Sequence, residues 1–267
     1  MASRPRDENL KSAGEGPGED KRLLSRRGLR HAPKQTLMFA LILGTTLCLS
    51  TCGLDVVSYY QAPIFTYVSN AFTLTHNTAN ADSNFLGYNI YYHAYQTQAL
   101  ADTARQAIET ATGTTSSTPQ SVLSSMTSAG FVLMYPAWAS GATAVSPTPL
   151  CKVTNPTSVV NFNFIMDSSS QATNWYYTAS TDSSSTHVYV VRALTSVNPP
   201  YNSFNYTYQT SDTDYTSTTN AVSAGGTVWL VFFAVAYGYD INTLSSIYSF
   251  PTSFWASIQY TLPTKQS

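Results

Sequence analysis

The chain has 267 residues, 13 Lys and Arg against 14 Asp and Glu, and an aromatic content of 13%. Nine of the 13 basic residues precede position 52, so the remainder carries only Arg105, Lys152, Arg192 and Lys265 against nine acids, a net charge near −5. Four scattered cations cannot neutralise a row of phosphates, which excludes nucleic acid as a partner and disfavours charge-driven binding to anionic lipid.

Residues 1–20 are charged, hold Gly14, Gly16, Pro17 and Gly18, and offer almost nothing apolar to bury, which predicts an unpacked extension. Arg26, Arg27, Arg30 and Lys34 then precede an apolar run of about 14 residues, Thr36 to Leu49, ending in Leu49-Ser50-Thr51-Cys52-Gly53. As a helix that run spans roughly 21 Å, short against a hydrocarbon core of about 30 Å. The segment resembles the signal peptide and lipobox of a bacterial lipoprotein. The resemblance implies diacylglycerol on the Cys52 thiol, cleavage before it with Leu49, Ser50, Thr51 and Gly53 as the recognition residues, and palmitate-type acylation of the new amino group. It further implies attachment to a membrane of the cell envelope through covalent lipid, on the periplasmic or cell-surface side. Thr51 departs from the pattern, which usually has Gly, Ala or Ser there. An uncleaved anchor and an ordinary cleaved signal remain alternatives, and Ser25-Arg26-Arg27 only partly matches a twin-arginine signal.

On this reading 1–51 is an address, 52–63 a lipidated tether, and 64–267 one folded domain. Ala71 to His76 alternates apolar and polar residues, as a half-buried strand does. Asn77 to Asn84 is turn-rich, and Phe85-Leu86-Gly87-Tyr88-Asn89-Ile90-Tyr91-Tyr92 follows as the strongest strand. Near the far end, Gly226 to Gly238 is a long apolar strand, and Leu244 to Ser249 a second one closed by Pro251. These two halves resemble the B–C and F–G strands of fibronectin type III domains. Their early Leu-Gly-Tyr-x-Ile-Tyr-Tyr strand is also similar to that of tyrosine-rich spirochaete lipoproteins. The resemblance implies a mainly β fold, a fibronectin type III or immunoglobulin-like β-sandwich with a short α-helical insertion.

The insertion, at about 97–225, begins with a helical pattern over Thr97 to Ala111 that places Leu100, Ala104, Ala107, Ile108 and Ala111 on one face, with Gly113 as the stop. Thr118-Pro119 predicts an N-cap and first helical residue, with Val122, Leu123 and Met126 apolar and Gly130 ending the helix. Phe131 to Tyr135 reads as a short buried strand. Val159 to Met166 puts Val160, Phe162, Phe164 and Met166 on one face. His187 to Leu194 is another strand, Phe204 to Tyr208 a weak one, and the Ser- and Thr-rich stretches at 168–186 and 209–225 are loops or strand edges.

Enzyme signatures are absent from the sequence. There is no HExxH, no Cys/His zinc spacing, no phosphate-binding glycine loop and no G-x-S-x-G elbow, so the expectation is a non-enzyme with no cofactor and no metal. His76 and His93 are expected at the surface or rim. Asp212 and Asp214 suit either a calcium loop or, as the simpler reading, a solvated acidic turn. Cys151 is expected to be a buried small hydrophobe. Trp138, Trp175, Tyr176, Tyr177, Tyr201, Tyr206 and Tyr208 either plug the edges of a core that lacks disulfides or form an aromatic binding face for a protein or glycan ligand. The functional expectation is therefore a lipid-anchored envelope protein with a non-catalytic binding or structural role. The alternatives are a carbohydrate-binding module, marked by an exposed aromatic row, and an envelope hydrolase, marked by a pocket joining His93 or His187 to a carboxylate.

Overall fold

The computed structural model describes residues 59–68, 71–136, 149–166, 175–181, 187–193, 201–217, 220–241, 243–253 and 256–264. All of them belong to the unit Val57–Ser267, one of the two into which the chain divides. The lipobox residues Leu49, Ser50, Thr51, Cys52 and Gly53, and Trp138, lie outside the described residues, as does the apolar run before them. No described helix is long and apolar enough to cross a membrane.

Two sheets form a β-sandwich. The first contains β1 (Ile64–Val68), β2 (Ala71–Thr75), β5 (Tyr135–Pro136), β7 (Asn161–Ile165), β8 (Trp175–Ala179), β9 (Val188–Ala193) and β10 (Tyr201–Asn202). Its order is β1-β2-β7-β8-β9-β10, with β5 also on β9. The second contains β3 (Phe85–Tyr95), β4 (Val132–Leu133), β6 (Cys151–Lys152), β11 (Tyr215–Thr216), β12 (Thr227–Asp240), β13 (Ser245–Tyr248), β14 (Thr252–Ser253) and β15 (Ile258–Thr261). At its centre β3 pairs with β12 over almost its whole length, and β12 pairs in turn with β13, β14 and β15. Every strand pair is antiparallel except β11 with β3.

Alternation makes the first sheet one-sided. Phe72 and Leu74 of β2, Phe162 and Phe164 of β7, Trp175 and Tyr177 of β8 and Val190 of β9 point inward and are buried. They meet Ile90, Tyr92, Leu230, Phe232 and Ala234 from the second sheet, and Phe72 and Trp175 lie 5.7 and 6.2 Å, ring to ring, from Phe232.

The second sheet is covered on both faces, which is why β12 reads as an unbroken apolar run rather than an alternating one. Its other face, with Tyr91, Tyr95, Val231, Phe233 and Val235, packs under α1 (Gln98–Thr112) and α2 (Pro119–Ser128). Thr97 caps α1 by accepting the Leu100 N–H, and Thr118 and Ser121 form a reciprocal capping box ahead of Pro119. α1 turns Ala101 and Ile108 into this layer, whereas Ala107, expected on that face, is exposed. The other four residues of the expected face, Leu100, Ala104, Ile108 and Ala111, do pack into it.

Four further differences concern short or polar segments. The stretch 131–135 splits between sheets, since β4 pairs with β3 and β5 with β9. The Ser/Thr-rich region 168–186 contains β8, an interior strand of the first sheet. Residues 204–208 form turns with one bridge, Tyr208 to Val222, rather than a strand. Ile258–Thr261, which had no assignment from sequence, completes the edge of β12.

Candidate functional site

The most polar part of the interior is an ion network around Arg192, a β9 residue that points inward and is 0% exposed. Its Nε and Nη2 donate to the two carboxylate oxygens of Asp214 at 2.8 Å each, and Nη2 also donates to Asp212 at 2.7 Å. Nη1 donates to the Thr207 carbonyl at 3.2 Å, and the guanidinium lies 3.6 Å from the Tyr208 ring centre. Tyr92 donates its hydroxyl to Asp214 at 2.6 Å, and the Gln209 N–H donates to Asp212 at 2.9 Å. Burial, and then the Asp214 charge, push the Tyr92 hydroxyl well above its ordinary range.

Asp212 and Asp214 are therefore neither a solvated turn nor a cation loop. Both are buried, and their oxygens are taken by a guanidinium, a hydroxyl and an amide. Among the described residues no group of three His, Cys, Asp or Glu is placed to hold a metal. The network ties the turn-rich segment 201–217 into the sandwich and holds β11 against β3, where the Asp214 carbonyl accepts the Ala94 N–H at 2.8 Å.

The histidines expected at the rim are in the interior, each 2% exposed. His93 on β3 meets the Gly130 carbonyl through Nδ1 at 2.7 Å and the Thr216 hydroxyl through Nε2 at 2.8 Å. A carbonyl only accepts, so Nδ1 carries a proton, and with burial disfavouring the charged ring Nε2 accepts from threonine. Burial lowers the pKa of His93, with the Gly130 hydrogen bond opposing. His76 is arranged alike, with Nε2 donating to the Pro156 carbonyl and Nδ1 accepting from Tyr88, both at 2.8 Å. Both rings have each nitrogen engaged and serve as structural connectors between segments. Cys151 is fully buried, as expected, and burial raises its thiol pKa.

The aromatics considered for binding separate by strand parity. Trp175 and Tyr177 face the core, 2% and 7% exposed, and Tyr208 is buried beside Arg192. Tyr206 is half-buried. Tyr176 turns the other way, onto the outer face of the first sheet. There it stacks on His187 with centroids 4.1 Å apart and planes at 20°, and it meets Tyr189 edge-on at 5.9 Å. Tyr189 is 44% exposed and His187 is exposed.

Beside these rings run two polar cross-strand pairs: Thr73 donates to Asn163 and Thr75 to Asn161, each at 2.8 Å. Each pair engages the asparagine oxygen and leaves the amide's two N–H donors to meet water or a ligand. Asn161 and Asn163 are two residues apart on one strand, so these donors recur at about 7 Å. The outward positions of β1, β2, β7, β8 and β9 carry no Asp, Glu, Lys or Arg among the described residues.

Of this face only Tyr176 was singled out from sequence as a binding aromatic, and His187 only as a marker of a hydrolase pocket. The signal for the rest is the parity of Ala71-Phe72-Thr73-Leu74-Thr75 and Asn161-Phe162-Asn163-Phe164, which places the Thr and Asn side chains on the side opposite the phenylalanines. The fold and this face define a β-sandwich with a two-helix insertion and an uncharged aromatic and amide surface. No family model, curated protein or solved structure matches the chain.

Proposed function

We propose that the chain is a lipid-anchored, extracytoplasmic binding module of a bacterial envelope, without chemistry of its own, and that it takes an uncharged glycan on the outer face of its first sheet. The anchoring rests on the sequence alone: a basic start, a short apolar run and Leu49-Ser50-Thr51-Cys52-Gly53, in the manner of spirochaete-like lipoproteins. Two or three acyl chains on Cys52 make attachment effectively permanent, since one chain binds only marginally.

The observation that carries the binding reading is the placement of Tyr176, His187 and Tyr189 beside the Thr73–Asn163 and Thr75–Asn161 pairs. Sugar rings offer an apolar C–H face to an aromatic and hydroxyls to an amide, and a face without charge suits a neutral chain over an acidic one. A non-catalytic role is supported by the engagement of both ring nitrogens of His76 and of His93.

The test is affinity electrophoresis of the full chain through gels holding neutral or acidic polysaccharides. The expected result is retardation by a neutral polysaccharide that Tyr189→Ala weakens by about 1–2 kcal/mol, roughly 5- to 30-fold in Kd. Equal retardation of the parent, Tyr189→Ala and Asn163→Ala, or none in any gel, would refute the glycan reading.

A further inference from the structure

A second surface lies at the end of the sandwich where β12 turns into β13. An open cavity of about 520 Å³ is lined there by Tyr59, Tyr60, Gln61, Asn77, Asn80 and Asp82. Gly238 makes room for the Tyr60 ring in that lining: a Cβ at that position would lie 2.5 Å from the Tyr60 hydroxyl. Tyr60 faces Asp82, with its hydroxyl 3.5 Å from the carboxylate. Burial first, then the charges of Asp82 and Asp240, push the Tyr60 hydroxyl up to about 12. Asp82 is exposed and has no ion-pair partner among the described residues. The cavity is thus aromatic, amide-lined and negative, which suits an organic ammonium group held by a carboxylate and ring faces.

The tip beyond the cavity is unlike a soluble turn. Ile247 of β13 also lines the cavity and pairs with Gly238, and the ladder runs on from there through Tyr239–Ser246 to Asp240–Ser245. At this end Tyr239 is 38%, Ile241 64% and Leu244 73% exposed. Leu244 holds φ +53°, a conformation rarely adopted by a branched side chain, while the Thr243 hydroxyl braces the turn on Asp240 at 2.8 Å. Single exposed apolar residues need no explanation. Three large ones beside a negative, aromatic- and amide-lined cavity do, because together they match the two layers of a phospholipid surface.

We infer that this end of the sandwich docks on a zwitterionic phospholipid surface, with Ile241 and Leu244 entering the acyl boundary and the cavity taking the ammonium of an ethanolamine or choline headgroup. The surface chosen is zwitterionic because the Asp82 carboxylate at the cavity repels anionic lipid. The contact is independent of the Cys52 thiol and of the glycan face, so failure of either earlier reading leaves it standing.

The test uses the full chain in vesicles of phosphatidylcholine brominated on its acyl chains, with Ile241→Trp as the reporter and the parent's four tryptophans as background. The expected result is bromine quenching of Ile241→Trp at least twofold above the parent, lost in phosphatidylglycerol vesicles and reduced at least threefold by adding Asp82→Asn. Circular dichroism must show the parental fold in each variant. Quenching no greater than the parent's would overturn the inference. So would equal quenching in both lipids, or saturable binding of free choline without quenching, which would mark a site for soluble amines only.

Discussion

Replacing Arg192 by methionine isolates the ion network from the packing around it. The substitution keeps an unbranched side chain of similar length and leaves Asp212 and Asp214, 7% and 0% exposed, without their shared cation. Removing one partner of a buried pair costs about 3–5 kcal/mol. For a domain of this size that is a fall of roughly 6–20 °C in Tm, at about 2–4 °C per kcal/mol. Asp212→Asn should cost far less, on the order of 1 kcal/mol, because the two-pronged contact between Arg192 and Asp214 survives. Urea unfolding of parent and variants at pH 7 measures both losses. A stability for Arg192→Met within 1 kcal/mol of the parent at pH 7, or a larger loss for Asp212→Asn, would refute the reasoning.

His93 should give stability an acid limb. Its folded pKa is lowered, so above about 6.5 its contribution is complete, and it declines as pH falls below that value; His93→Gln should flatten the slope in urea titrations between pH 7.5 and 5. Gly130→Ala should cost about 1–3 kcal/mol in the same assay, because φ is +91° and the added Cβ would sit 2.9 Å from His93 Cε1. Met126→Ala, at a fully buried contact of α2, should cost about 2–5 kcal/mol by leaving a cavity between helix and sheet. Cys52→Ser should abolish acylation and cleavage together, which intact-mass measurement of the amino terminus reads directly; processing like the parent's would remove the lipobox reading.

The parts of the fold that were legible before the structure are those where one local rule sufficed. Thr97 and Thr118-Pro119 mark helix starts by capping chemistry, and both helices begin there. The alternation from Val160 to Met166 places a buried face without knowledge of its partner. The long run over β12 marks a strand covered on both sides, and β3 is found beside it.

What stayed hidden depends on partners distant in sequence. β8 sits in a Ser- and Thr-rich region whose composition reads as a loop, and only pairing with β7 and β9 makes it an interior strand. Asp212 and Asp214 look like a hydrated turn until Arg192, twenty residues away, is brought against them. His76 and His93 read as rim residues because the carbonyls that accept their protons, from Pro156 and Gly130, come from other segments. The outer face was partly readable, through parity, but its ring cluster needs His187 and Tyr189 folded back beside Tyr176.

The pairing of β3 with β12 has a kinetic consequence. β3 belongs to the first part of the domain, and the strand that completes it lies near the end of the chain. A partial chain therefore has nowhere to bury Tyr88, Ile90 and Tyr92, and loop closure across the whole insertion must come before the central ladder is rewarded. Folding should be slow and should await the C-terminal segment, leaving the polypeptide extended during synthesis. That delay would favour any route requiring the chain to be threaded through a narrow pore before it collapses.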